Sequence, residues 1–181
     1  MVTHLPVVIV SHNPAWPLQF AALRQVLQDA LGGLSEAIEH VGSTSVLGLA
    51  AKPIIDVDVV IHSRDELSEA IRRLGALGYT HEGDLGVPGR EAFARADDQT
   101  PLDSSGRRWP EHHLYVCAKD SLELARHLVF RDYLRANPGT ALAYGDLKLR
   151  LAERYRNDRE AYTEGKAAFV EEVLRKVWDS R

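Results

Sequence analysis

One cysteine, one methionine and a 7 % share of aromatic residues mark what is scarce in this 181-residue chain. The single thiol, Cys117, excludes an intramolecular disulfide and any zinc site built from clustered cysteines. It sits in the apolar stretch Leu114-Tyr115-Val116-Cys117 and reads as a buried, inert sulfur. No apolar run is long enough to span a membrane. The segment 1–10 lacks the charged start, long apolar core and cleavage site of a secretory leader, so a cytoplasmic protein is the default expectation. Excess positive charge is also missing. The net charge is −4 and there is no polybasic tract, which argues against a duplex nucleic acid as partner. Internal repeats and low-complexity segments are absent.

What is present is the composition of an ordinary globular protein, 45 % hydrophobic and 27 % charged, with length for one sizeable core. A single domain over 1–181 is expected. A short edge strand is expected over 6–10. Asn13-Pro14 starts a helix whose apolar face is Trp16, Phe20, Leu23, Leu27 and Leu31, ended by Gly32-Gly33. Strands follow over 38–41, 54–61, 91–96 and 114–118. Ser63 and Glu66 form a capping box for a helix reaching about residue 77. Residues 97–110 read as a polar, mobile surface loop, with Trp109 a substrate lid on it. After residue 118 the period changes to helical, with helices over 120–136, 141–155 and 159–178. The plan is α+β: a mixed front part, and a helical part over 119–181 that packs on it.

Two carboxylates stand out in Ile54-Ile55-Asp56-Val57-Asp58-Val59-Val60-Ile61. Alternation puts Ile55, Val57, Val59 and Ile61 on one face of the strand and Asp56 and Asp58 on the other. Two acids on one face among branched aliphatics repel each other and are costly to desolvate, so a metal ion, basic side chains or water must compensate. Divalent-metal catalysis of phosphoryl or nucleotidyl transfer needs such oxygen ligands on a rigid element. Upstream, Gly42-Ser43-Thr44-Ser45 leaves a strand and enters a helical turn, where backbone amides and hydroxyls attract phosphate. The expected arrangement is one cleft holding both acids, with the Gly42-Ser43 turn at its rim.

Gly42-Ser43 followed by Asp56-x-Asp58 resembles the signature of the DNA polymerase beta-type nucleotidyltransferase superfamily. The longer words His40-Val41-Gly42-Ser43-Thr44-Ser45-Val46 and Ala51-Lys52-Pro53-Ile54-Ile55-Asp56-Val57 resemble the GrpB (UPF0157-type) family within that fold. So do His112-His113-Leu114, Phe130-Arg131-Asp132-Tyr133-Leu134-Arg135, Tyr144 and Lys148. The resemblance implies a nucleotidyltransferase-like mixed sheet flanked by helices. It also implies a nucleoside triphosphate as substrate, a Mg²⁺ or Mn²⁺ cofactor at Asp56 and Asp58, and phosphate contacts from Gly42 and Ser43. The acceptor would be a small molecule or a protein. Superfamily members bring a third carboxylate from a later strand, and here that strand offers Glu111, His112 and His113. His112 shares a face with Leu114 and Val116. His113 shares one with Tyr115 and Cys117, so His113 is the expected third ligand and catalytic partner. An imidazole suits Mn²⁺ or Zn²⁺ better than Mg²⁺.

Lys52, Arg131 and Lys148 complete the expected phosphate-binding set with Gly42, Ser43, Thr44 and Ser45. Each of the three bases has a plainer reading as ordinary surface or ion-pair charge. For Lys166 the plainer reading is preferred. His40 reads as structural. His4, His12, His62, His81 and His127 show no pattern pointing to a site. Three activities fit this sequence: metal-dependent nucleotidyl transfer, nucleotide binding without turnover, and another phosphotransfer or hydrolysis reaction at a histidine-containing metal site.

Overall fold

A computed structural model describes residues 6–179. Residues 1–5, His4 among them, and 180–181 lie outside it. In chain order the elements are α1 (Trp16–Leu31), β1 (Ser35–Val41), β2 (Ile55–Ile61), α2 (Leu67–Ala76), β3 (Tyr79–Gly83), β4 (Glu91–Arg95), β5 (His112–Ala118), α3 (Leu122–Ala136), α4 (Pro138–Arg154) and α5 (Arg159–Trp178). The sheet order is β1-β2-β5-β4-β3. Only β2 and β5 run parallel; the other pairs are antiparallel. Among the described residues no helix is long and apolar enough to cross a membrane.

The two faces of β2 and β5 have different chemistry, and this divides the molecule into layers. Ile55, Val57, Val59 and Ile61 meet Leu114, Val116 and Ala118, and α1 and α2 cover them with Leu23, Leu27, Leu31, Ala70 and Leu74. Burying each of the valine, leucine and isoleucine side chains contributes about 1.5–3 kcal/mol. On the other face Val60 and Cys117 pack on Leu124 of α3. The helical part therefore docks on the acidic face. Gly165 lets α5 lie close to α4, since a Cβ there would sit 2.6 Å from Leu151 Cδ2. Burial pushes the Cys117 thiol up to about 12, as an inert sulfur requires.

Several local expectations are corrected. Residues 6–10 form no strand beyond a single bridge from Val10 to Ala51. Asn13 Oδ1 accepts from Ala15 N at 2.9 Å, a turn that precedes the helix instead of capping it. The Ser63–Glu66 capping box is present, but it opens a 3₁₀ turn that leads into α2. The helix expected over 120–136 begins at Leu122, with Ser121 as its cap. The segment 97–110 is partly core: Thr100 and Trp109 are buried, and Trp109 Nε1 donates to the Pro101 carbonyl at 2.7 Å. Trp109 packs in the α1–α2 layer, on the side of the sheet opposite the acids, so it is no lid over them.

Candidate phosphate site

The site begins where β1 ends. Gly42 has φ 68° and ψ −172°, a conformation that L side chains rarely adopt. A Cβ at this position would lie well inside van der Waals contact of Asp56 Oδ2. Glycine is therefore required twice, by the turn and by the acid on the neighbouring strand, because Val41 pairs with Asp56. Residues Ser43–Ser45 then form one 3₁₀ turn. Thr44 is buried and hydrogen-bonded to His40 Nε2 at 2.9 Å, and His40 stacks on Phe20 with ring centroids 4.6 Å apart. Burial, with help from Arg135 and Arg131 and against Asp56, pushes His40 down to about 4, so it is a neutral strut under the turn. Ser45 turns away: its hydroxyl donates to the Gly42 carbonyl at 2.6 Å, and its own carbonyl accepts from Arg135.

Beside this turn lies a cavity of about 260 Å³, lined among others by Ser43, Thr44, Lys52, Asp56, His113 and Lys148, with Arg159 and Lys166 from α5. Parallel register places Asp56 beside His113, whose Nδ1 donates to Asp56 Oδ1 at 2.9 Å. His112 points the other way, into the core. Its Nδ1 donates to the Pro110 carbonyl and its Nε2 accepts from Tyr79 OH at 2.7 Å. Glu111 is exposed and paired with Arg95. Lys148 is buried on α4; its Nζ donates to Ser43 Oγ at 2.8 Å and to the Ala50 carbonyl. Tyr162, buried on α5, spaces two ammonium groups, with Lys52 Nζ and Lys166 Nζ each 4.5 Å from its ring centroid.

Four basic side chains thus line the cavity with one carboxylate, and the three lysines are shifted by their burial and by neighbouring positive charge. Burial, then the charge of Lys166, brings Lys148 down to about 7 despite Asp56. Burial, Lys52 and Arg159 bring Lys166 down to about 8, again against Asp56. Lys52 is lowered by burial and by Arg159. Lys166 and Arg159 escape a reading of the sequence because helix charge is usually solvated; the docking of α5 brings Lys166, half-buried, and the exposed Arg159 to the cavity's lining.

Asp58 does not reach this cavity. It has no exposed surface, and α3 lies over it with His127 Nδ1 2.7 Å from Asp58 Oδ2. Burial alone would lower the His127 pKa, but its hydrogen bonds to Asp58 and Glu123 outweigh that and raise it to about 9. Nor does Arg131 reach the cavity: its guanidinium holds Glu39 at 2.6 Å and the His40 carbonyl at 3.1 Å. His127, Arg131 and Arg135 are four residues apart, so one stripe of α3 carries all three. That spacing was the signal in the sequence for His127. Among the described residues no group of three or more His, Cys, Asp or Glu side chains is arranged to hold a metal ion. The expected set is split, with Asp56 and His113 bonded to each other at the cavity and Asp58 sealed under His127. In this arrangement the residues do not fit a shared divalent ion.

A five-stranded mixed sheet whose acid strand β2 pairs with the central β5 and is reached from a Gly-Ser turn is nucleotidyltransferase-like in fold. The chain superposes on the Cid1 poly(U) polymerase bound to MgATP with a TM-score of 0.55 at 12 % identity, covering 81 % of this chain and 45 % of that one. Within that class the chain belongs to the GrpB family, whose profile, described as GrpB protein, matches residues 6–176. It is 34 % identical to the glutamate-rich protein GrpB of Alkalihalophilus pseudofirmus, over 94 % of this chain and 95 % of that protein. It is also 34 % identical to the crystal structure of GrpB from Enterococcus faecalis, with a TM-score of 0.77 over 94 % of this chain and 99 % of that one. Another relative is longer: the chain spans 44 % of the UPF0157 protein YqkA of Bacillus subtilis, at 33 % identity.

Proposed function

We propose that the cavity binds the phosphate chain of a nucleoside triphosphate. The observation that carries this reading is the set of four cations, Lys52, Lys148, Arg159 and Lys166, gathered around Asp56 beside the Gly42-Ser43 turn. Lysines held below their ordinary pKa by burial first, and then by neighbouring positive charge, gain from a polyanion that favours their charged form. The Ser43 hydroxyl, already fixed by Lys148, offers a further polar contact at the rim. The volume suits a phosphate chain better than a whole nucleotide. Calorimetric titration with each of the four nucleoside triphosphates and with inorganic tripolyphosphate tests the reading. Saturable binding is expected, weakened about 10- to 100-fold by Lys148→Met, the loss of one or two hydrogen bonds to a charged group. Absence of binding by the wild type, or undiminished binding by Lys148→Met, would falsify it.

Nucleotidyl transfer to a small-molecule or protein acceptor is the second reading. It is favoured by the likeness to a polymerase whose structure contains MgATP, and by Asp56 standing at the cavity. Its test is pyrophosphate release from labelled triphosphates in Mg²⁺ or Mn²⁺, set against buffer alone. Binding without release leaves the first reading standing and removes the second.

A further inference from the structure

The second acid of the strand poses its own problem of charge. Asp58 has no exposed surface, and its Oδ1 is buried with no hydrogen-bond partner. Its other oxygen meets His127 Nδ1 at 2.7 Å. The second ring nitrogen of His127, Nε2, lies 3.3 Å from Glu123 Oε1. A neutral imidazole carries one N–H and one lone pair, and a lone pair aimed at a carboxylate is repelled. A carboxylate at each nitrogen fits a ring that donates from both. Asp58 is thus compensated by a full protein charge, delivered by α3 from the side on which a shared ion would have to bind. A divalent ion drawing Asp58 toward Asp56 would have to displace that ring or accept its repulsion at short range.

We propose that the His127 imidazolium holds Asp58 in the place of a divalent ion, so that the cavity takes a polyphosphate on protein cations alone. The second half of this inference rests on the phosphate reading above; the first half does not. His127 is a positioning residue: it touches Asp58 and Glu123 and lies outside the cavity lining. Its removal leaves a buried carboxylate without a counter-charge, and a small cation is the natural replacement.

The test uses Mn²⁺ alone, followed by electron paramagnetic resonance of the free ion, on the full chain. Wild type and Asp58→Asn are expected to leave Mn²⁺ equally free. His127→Ala is expected to bind Mn²⁺ about 10- to 100-fold more tightly than wild type, the size of the loss that altering a neighbour of a metal site causes, with the sign reversed because the neighbour removed is a cation. Adding Asp58→Asn to His127→Ala should remove that gain, whereas His127→Lys, which keeps a cation, should not show it. A wild type that binds Mn²⁺ and loses it on Asp58→Asn overturns the proposal. So does a folded His127→Ala that gains nothing. If His127→Ala does not fold, the comparison of wild type with Asp58→Asn still decides. A separate titration of wild type with tripolyphosphate in EDTA checks the second half: binding there supports it, and binding only after Mn²⁺ is added overturns it. If tripolyphosphate binds under neither condition, the phosphate reading falls, and the Mn²⁺ measurements still judge His127.

Discussion

Gly42 and Lys148 are the residues at which backbone geometry and charge meet. Gly42→Ala places a methyl group against Asp56 Oδ2 and forces an L residue to φ 68°. Backbone strain of this kind costs about 1–3 kcal/mol. Denaturant unfolding should show that loss, with weaker tripolyphosphate binding beside it because Ser43 and Asp56 are both displaced. A variant as stable as wild type would remove the argument for the close approach. Lys148, brought down to about 7, makes a second prediction with a definite sign. A bound polyanion favours the charged lysine and raises its pKa. Near pH 8 binding should therefore take up protons, and affinity should fall as pH rises through the range of Lys148 and Lys166, about 7 to 8. Calorimetry in buffers of different ionisation enthalpy measures the uptake; proton release would contradict it.

At the scale of elements, α3 is a clamp. Its stripe holds Asp58 through His127, Glu39 and the His40 carbonyl through Arg131, and the Ser45 carbonyl through Arg135. Arg131→Met should lower stability by about 1–3 kcal/mol by leaving Glu39 unpaired. Tripolyphosphate affinity should stay close to that of wild type, whereas a phosphate-contacting Arg131 would lose it about tenfold or more. The strands and helices could be read from the sequence because their signals are local: alternation in β2, apolar spacing in α1, the Ser63–Glu66 box. The turn-and-strand half of the cavity was legible for the same reason, since alternation alone put Asp56 and His113 on a common face once β2 and β5 were paired. The helical half was not. Which side of α5 faces inward depends on how it packs against α4 and the sheet, so Arg159 and Lys166 looked like solvated charge. Residues 97–110 misled in the opposite direction: polar composition hid the buried Thr100 and Trp109, and Trp109 is turned inward by packing on core residues of α1 and α2 that are distant in sequence.

The whole molecule carries these local charges into its stability. His40 falls from 6.5 to about 4 on folding, so between those values the unfolded chain binds the extra proton. Its contribution is complete above pH 6.5 and is lost as pH drops toward 4, amounting to about 3 kcal/mol. His40→Gln, which can still bond to Thr44, should flatten the stability curve across that window; an unchanged slope would show that His40 does not carry the effect. The order of the sheet has a consequence of another kind. β5, the last strand to be made, lies in the middle, and its His113 is 57 residues from the Asp56 it meets. A ribosome that has produced β1 to β4 has produced two antiparallel pairs with no strand to join them. Until residue 118 emerges, the inner edge of β2 presents unpaired amides and carbonyls on a strand rich in valine and isoleucine, and this is the interval in which the nascent chain most needs protection from its neighbours.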